Sequence, residues 1–273
     1  MAQAKKIGFP AGVLGEDPIR FDVLADASPS FVAVGKPADI LLDSYLGSPK
    51  EKSVMLAMRE TPDKPEFKRL GINSPYAVNQ LDFEISGAAV IACDKDTANE
   101  MRNEMWSGAM KFEYLLLAKS AQDSQTSFDV DLPILMHDER PVWLVSHRFG
   151  KKAHTVFERL ERVGAYELWR ASAETVRPHQ IRVHANEGGI KIVGESLYSR
   201  TPYVYMSDIK EEPYKIGFNQ EEQPLYPHLY LHLSKIVLPE NRKPDGGTAE
   251  VSAPLPKGFA TTLKRLGFSK LGQ

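Results

Sequence analysis

Residues Ser74–Asp94 read SPYAVNQLDFEISGAAVIACD. A polar turn, NQLD (79–82), runs directly into an apolar stretch, GAAVIAC (87–93), with Gly87 at one end and Asp94 at the other. So short an apolar run between turn signals reads as a buried strand. The next stretch, DKDTANEMRNEMWSG (94–108), reads as a helix. Asp94 or Asp96 is its N-cap, Ala98, Met101, Met105 and Trp106 form its apolar face, and Gly108 ends it. MKFEYLLLAKS (110–120) then reads as a strand.

The same pattern continues outward in both directions. FVAVGKPADILLD (31–43) reads as two short strands broken at Lys36-Pro37, because proline removes a ladder donor. VWLVSHRF and AYELWRASAE read as strands, and HTVFERLERV as a strand or a helix. RPHQIRVHANEGG (177–189) reads as a short helix, with Pro178 at its first position and Gly188-Gly189 at its end. IKIVG and LYLHLSKIVLP read as strands. LPKGFATTLKRLGF closes the chain as a helix with Phe259, Leu263 and Leu266 on one face. Strands outnumber helices and are joined by turns rather than long crossovers. The expected class is therefore α+β, a single catalytic domain on a mixed, mainly antiparallel sheet with flanking helices. Its expected span is 31–273, after an N-terminal extension over 1–30. Residues 199–228 lack clean periodicity and are expected to be a surface insertion.

At 42% hydrophobic and 26% charged over 273 residues, the composition is that of a globular protein with a sizeable core. No apolar run is long enough to span a bilayer, and no signal-peptide core follows the first lysines. Cys93 is the only cysteine, so no intramolecular disulfide can form. Together these set the expectation of a cytoplasmic protein. The net charge of −2 excludes long-range steering of a polyanion by the whole molecule. Charge is segregated instead: bases cluster in HRFGKKAH (147–154) and acids between Ser207 and Pro224. A local basic face remains available.

Taken singly, the polar candidates are ambiguous. Asp82 in a turn before a strand is an ordinary way to satisfy backbone N–H groups. Arg177, His179, Gln180, Arg182 and His184 crowd one segment, either as a solvated polar helix or as an anion site built on the arginine forks. His179 and His184 diverge around a helix, and His228 and His232 lack a zinc motif, so no metal is expected. Tyr114 is by default a core aromatic; at a cleft rim it could stack on a base. Neither GxGxxG, GxxxxGK[ST] nor GxSxG occurs, so no nucleotide cofactor and no serine hydrolase is indicated.

In order along the chain, VAVGKPADIL, NQLDFEISGAAVIA, FEYLLLA, VRPHQIRVH, IKIVGESLY, LYLHLSKIVLP and APLPKGF resemble the motifs of the RluA-type pseudouridine synthases. The resemblance runs from about Phe31 to the C-terminus. It implies a pseudouridine synthase fold and an isomerase that converts uridine to pseudouridine in structured RNA (tRNA or rRNA), without cofactor or metal and as a monomer. By resemblance, Asp82 takes the place of the catalytic aspartate. Tyr114 is placed as the tyrosine that stacks on the target base, and Arg182 as the arginine that pairs with the aspartate. Gln80, Arg177, His179, Gln180 and His184 become substrate-binding candidates. The sequence departs from the family pattern at Asn79-Gln80, where the family has His-Arg. It departs again at Ile85, Phe112, Val176 and Glu195, which stand for threonine, a basic residue, glycine and aspartate. Gln80 can fill space and hydrogen-bond but has no charge for a phosphate. Two alternatives follow: an RNA-binding protein that keeps the fold without turnover, and an unrelated acid–base enzyme on a small molecule.

Overall fold

A computed structural model describes residues 6–44, 52–120, 125–210, 221–243 and 249–270. In chain order the elements are β1 (Lys6–Phe9), β2 (Ile19–Ala27), β3 (Phe31–Lys36), α1 (Val54–Glu60), α2 (Pro65–Arg69), β4 (Tyr76–Ala77), β5 (Ser86–Ala92), α3 (Lys95–Trp106), β6 (Lys111–Lys119), β7 (Ser127–Asp131), β8 (Ile134–Met136), β9 (Trp143–Val145), β10 (His154–Val163), β11 (Tyr166–Ala173), α4 (Gln180–Glu187), β12 (Lys191–Ile192), β13 (Leu231–Val237), β14 (Glu250–Ser252) and α5 (Lys257–Leu266). The class is α+β, and β1–β2, β2–β3, β3–β5, β10–β11 and β7–β10 all pair antiparallel.

The chain divides into two compact units of discontinuous segments: residues 1–113, 173–178 and 233–254, and residues 114–172, 179–232 and 255–273. In the first, β1, β2, β3 and β5 lie in that order, with the short β4 also on β5 and β14 on β13. Every residue of β5 is buried, as the apolar run required. Gly87, at φ 134°, is needed there for close approach. A Cβ on it would stand 2.3 Å from the Leu233 carbonyl oxygen and 2.6 Å from the Leu233 nitrogen. Helix α3 is capped by Asp94, whose carboxylate accepts the Thr97 N–H at 2.9 Å. Ala98, Met101 and Met105 are buried, while Trp106 is half exposed.

In the second unit β6, β11, β10 and β7 lie side by side, β12 pairs with β6, and β8–β9 form a separate hairpin. The core here gathers Leu117, Leu168, Tyr226, Tyr230, Phe259 and Leu263.

Several expectations change. Residues 6–30 hold β1 and β2, and β2 pairs with β3. The alternation in IRFDVLADA is too weak to declare a strand without its neighbour. Only one strand, β3, forms in 31–43. Beyond Pro37 the chain turns, with Asp39 at φ 58°, and buries Ile40, Leu41 and Leu42 without pairing. Helix α4 begins at Gln180 rather than at Pro178, because His179 takes a left-handed φ of 57° that no helical residue can have. HTVFERLERV is a strand, bulged between Arg159 and Glu161. Of the expected insertion, Thr201, Val204 and Tyr226 are buried, and Val204 and Tyr226 belong to the core of the second unit. Residues 211–220, at its centre, lie outside the described residues.

Candidate functional site

Asp82 belongs to the first unit. The NQLD turn that carries it is pinned to β5 through Asn79. Its Oδ1 accepts the Val90 N–H at 2.8 Å and its Nδ2 donates to the Ala88 carbonyl at 3.2 Å. A side chain thus makes bonds that a neighbouring strand would make. The Asp82 carbonyl accepts the Ile85 N–H at 3.2 Å and closes the turn. The Asp82 residue is 4% exposed, whereas Gln80, two residues earlier, is exposed.

Lys36, the last residue of β3, is also buried. Its ammonium donates to the carbonyls of Ile40 at 2.7 Å, Pro37 at 2.9 Å and Phe83 at 3.2 Å. One charged group therefore ties the turn after β3 to the residue next to Asp82. Burial pushes the Lys36 pKa down to about 7, against the opposing pull of Asp82, Asp39 and Glu84. Read from sequence, Lys36-Pro37 is a strand break within a family motif. The sequence signal for an anchoring role was the lysine itself, an ionisable residue at the end of an apolar strand. Arg177 lies in this unit as well, half buried, its guanidinium 5.1 Å from the centre of the Trp106 ring. Burial lowers its pKa.

Tyr114 and Arg182 belong to the second unit. Tyr114 sits on β6 and is 2% exposed. Arg182, on α4, is 1% exposed and is gripped by Glu195 through two hydrogen bonds: Nε to Oε2 at 2.7 Å and Nη2 to Oε1 at 2.9 Å. Glu195 also accepts the Leu197 N–H at 2.8 Å. Burial alone would raise the Glu195 pKa, but the Arg182 bonds and charge outweigh it and hold the carboxyl below the usual carboxylate range. The Arg182 guanidinium also lies 5.5 Å from the centre of the Tyr198 ring. The Tyr198 hydroxyl is hydrogen-bonded to His179 Nδ1 at 2.7 Å and accepts the Trp143 N–H at 3.0 Å. Arg182, Glu195, Tyr198 and His179 therefore form one connected network. Glu195 and Tyr198 were not among the site residues expected from sequence, because their link to Arg182 exists only in three dimensions.

Gln180 and His184 are brought together differently from the expected substrate contacts. They are four residues apart and share a helix face. That face meets β10. Gln180 Nε2 donates to the His154 carbonyl at 3.0 Å and to the Thr155 hydroxyl at 3.1 Å. His184 is fully buried. Its Nε2 lies 2.9 Å from the Leu132 carbonyl, so this nitrogen carries the proton, and its Nδ1 accepts from the Thr155 hydroxyl at 2.9 Å. Burial lowers the His184 pKa, which keeps the ring neutral. Both side chains anchor α4.

Among the described residues no three His, Cys, Asp or Glu side chains gather so as to hold a metal ion. No helix among them is long and apolar enough to cross a membrane.

The chain belongs to the RNA pseudouridylate synthase family, the RluA-type family its motifs resemble; the family model matches residues 30–187. Among curated relatives, an uncharacterised RNA pseudouridine synthase of Synechocystis sp. is 27% identical over 195 residues, covering 70% of this chain and 58% of the relative. Ribosomal large subunit pseudouridine synthase D of Haemophilus influenzae is 25% identical over 235 residues, 86% of this chain and 68% of the relative. The corresponding Nitrosomonas europaea protein is 28% identical over 172 residues, 62% of this chain and 47% of its own. The chain thus spans about half to two thirds of the length of these relatives. Two solved human structures share the fold. RNA pseudouridylate synthase domain containing 4 has a TM-score of 0.62 and 19% identity, covering 89% of this chain and 92% of that one. RNA pseudouridylate synthase domain containing 1 has a TM-score of 0.56 and 18% identity, covering 86% and 84%.

Proposed function

We propose that this protein isomerises specific uridines of structured RNA, tRNA or rRNA, to pseudouridine, with Asp82 as the catalytic carboxylate. The observation that carries the reading is that Asp82, Tyr114 and Arg182 all fall inside the family match and all are buried, Asp82 in the turn before β5, Tyr114 on β6 and Arg182 on α4. The reaction breaks the N1–C1′ bond of uridine, turns the uracil and rejoins it through C5, releasing the C5 proton. Neither a redox step nor a metal is required. Asp82 acts on the sugar through its carboxyl group. Tyr114 offers an aromatic face to a base taken out of its stack, and Arg182 supplies fixed positive charge. Gln80, Arg177 and His179 are the substrate-contact candidates of this reading, and Gln180 and His184 hold α4 in place.

RNA affinity falls to a local surface. His147, Arg148, Phe149, Lys151 and Lys152 are all exposed, Phe149 to 65%, and the Arg148 guanidinium lies 4.9 Å from the Phe149 ring centre. Exposed aromatic and cationic groups in one strip suit a flexible RNA strand. The ribosomal names of several relatives make large-subunit rRNA the first RNA to try. The working state in this proposal is a cytoplasmic monomer. Cys93, whose thiol burial pushes up to about 12, has no part in disulfide chemistry there.

The test is tritium release. RNA labelled at uridine C5 is extracted from cells lacking the gene and incubated with the pure protein. Release that stops in Asp82→Asn, with RNA binding and the unfolding transition retained, is the expected result. Turnover that survives in that variant rules out Asp82. Binding without release by the native protein replaces the enzyme reading with an RNA-binding one.

A further inference from the structure

The second unit holds a cavity of about 750 Å³, within the size range of small-molecule sites. None of the residues assigned to the isomerisation lines it. It lies between β7, β11, the end of β6 and the last residues of α4.

Its apolar wall is aromatic. The Phe128 ring stacks on Phe157 at 5.5 Å and meets Trp169 edge-on at 5.8 Å. Trp169 is itself fixed, its Nε1 donating to Glu167 at 3.0 Å. The end of α4 rests directly against this wall. A Cβ on Gly188 would come within 2.5 Å of the Phe128 ring, so only glycine lets backbone and ring meet there.

Most of the charged residues of the lining are negative. Asp129, Asp131 and Glu187 are exposed carboxylates on it, and Asp129 Oδ2 lies 3.3 Å from His154 Nε2. Glu167 is a fourth, but Arg159 Nη1 bonds it at 2.9 Å. Among the described residues of the lining the one base is Lys119, whose ammonium lies on the Tyr166 hydroxyl at 2.7 Å and 4.1 Å from the Tyr166 ring centre. The helix that ends in Glu187 adds the negative end of its dipole. Carboxylates and a helix C-terminus thus agree in sign, beside an apolar wall in which the Arg159 guanidinium already lies 5.9 Å from the Trp169 ring centre. An RNA phosphate would be repelled by the same groups.

We infer that this cavity binds an organic cation, a guanidinium or ammonium group carried on an apolar stem. The head lies among Asp129, Asp131 and Glu187, and the stem lies on Phe128 and Trp169. Such a group comes either as a free amine or as an arginine or lysine side chain of a protein.

Calorimetric titration of the full chain with agmatine, and separately with the blocked peptide acetyl-Gly-Arg-Gly-amide, tests this and separates the two sources. Binding of agmatine alone points to a free amine; equal binding of the peptide points to a protein side chain. In Asp131→Asn/Glu187→Gln the affinity falls about tenfold, as the loss of charge-assisted bonds requires. Phe128→Ala weakens it as well. Tritium release by the charge variant stays unchanged, because neither residue belongs to the proposed catalytic set. Binding by neither ligand at millimolar concentration, or affinity equal in the charge variant, overturns the inference.

Discussion

Lys36 shows how much one residue can hold. Its burial is costly, and the cost depends on pH in a definite direction. The unfolded lysine binds its proton up to about pH 10.5, whereas the folded one gives it up near 7. Between those values the unfolded state binds more protons, so stability rises with pH there, by at most ~1.4 kcal/mol per pH unit. Below about pH 7 the full penalty is present. Urea midpoints of the native protein should therefore climb from pH 7 to 9. Lys36→Met should lose that climb, and should be weaker at pH 9 because the carbonyls of Pro37, Ile40 and Phe83 lose their donor. Parallel pH curves for the two proteins would mean that Lys36 is not buried as an ionisable group. Lys36 also illustrates what a sequence conceals at this scale. The Lys-Pro pair is visible as a motif, but its three bonds join residues up to 47 positions apart.

At the scale of elements, helix α4 is fixed by two different faces. Gln180 and His184 tie one face to β10 and Leu132 by neutral hydrogen bonds, and Arg182 ties the helix to Glu195 by a buried ion pair. The ion pair is the more fragile. Glu195→Ala leaves the Arg182 charge buried without its carboxylate and should cost about 3–5 kcal/mol in urea unfolding. Glu195→Asp should recover part of that loss. A destabilisation under about 1 kcal/mol would show that water or another group takes over the arginine. Glu195 also has its own pH window. Its folded pKa is depressed, so its contribution is complete above the unfolded value of about 4.5 and disappears as pH falls through the lower folded value. The elements themselves were legible where local chemistry determined them. Strand β5 followed from its apolar run, α3 from the Asp94 cap, and α5 from its Phe259–Leu263 face. The start of α4 was not legible, because nothing in Pro178-His179-Gln180 announces a left-handed histidine. Strand β2 was hidden for another reason: it exists through its pairing with β1 and β3.

At the scale of the whole molecule, the sequence disclosed the α+β class and the family but not the partition into two units. Each unit is assembled from three separate stretches, and the chain passes from one to the other inside β6, between Glu113 and Tyr114. No composition change marks that point. Charge is the property that does carry over directly. With a net charge of −2, attraction to RNA cannot come from the molecule as a whole and must come from patches. The exposed strip at Arg148, Lys151 and Lys152 is the patch proposed for it, and its contribution can be counted. Removing one cation that neutralises a phosphate reduces the slope of log affinity against log salt by about 0.7–0.9. Arg148→Ala/Lys151→Ala/Lys152→Ala should thus flatten the slope by roughly 2–3 between 50 and 200 mM salt, if all three side chains meet phosphates. Phe149→Ala should weaken binding at every salt concentration and leave the slope unchanged, because stacking releases no counterions. A triple variant with the native slope would move the RNA surface elsewhere on the protein. A slope reduced in Phe149→Ala would show that the ring works by placing Arg148, over which it lies, rather than by stacking on a base.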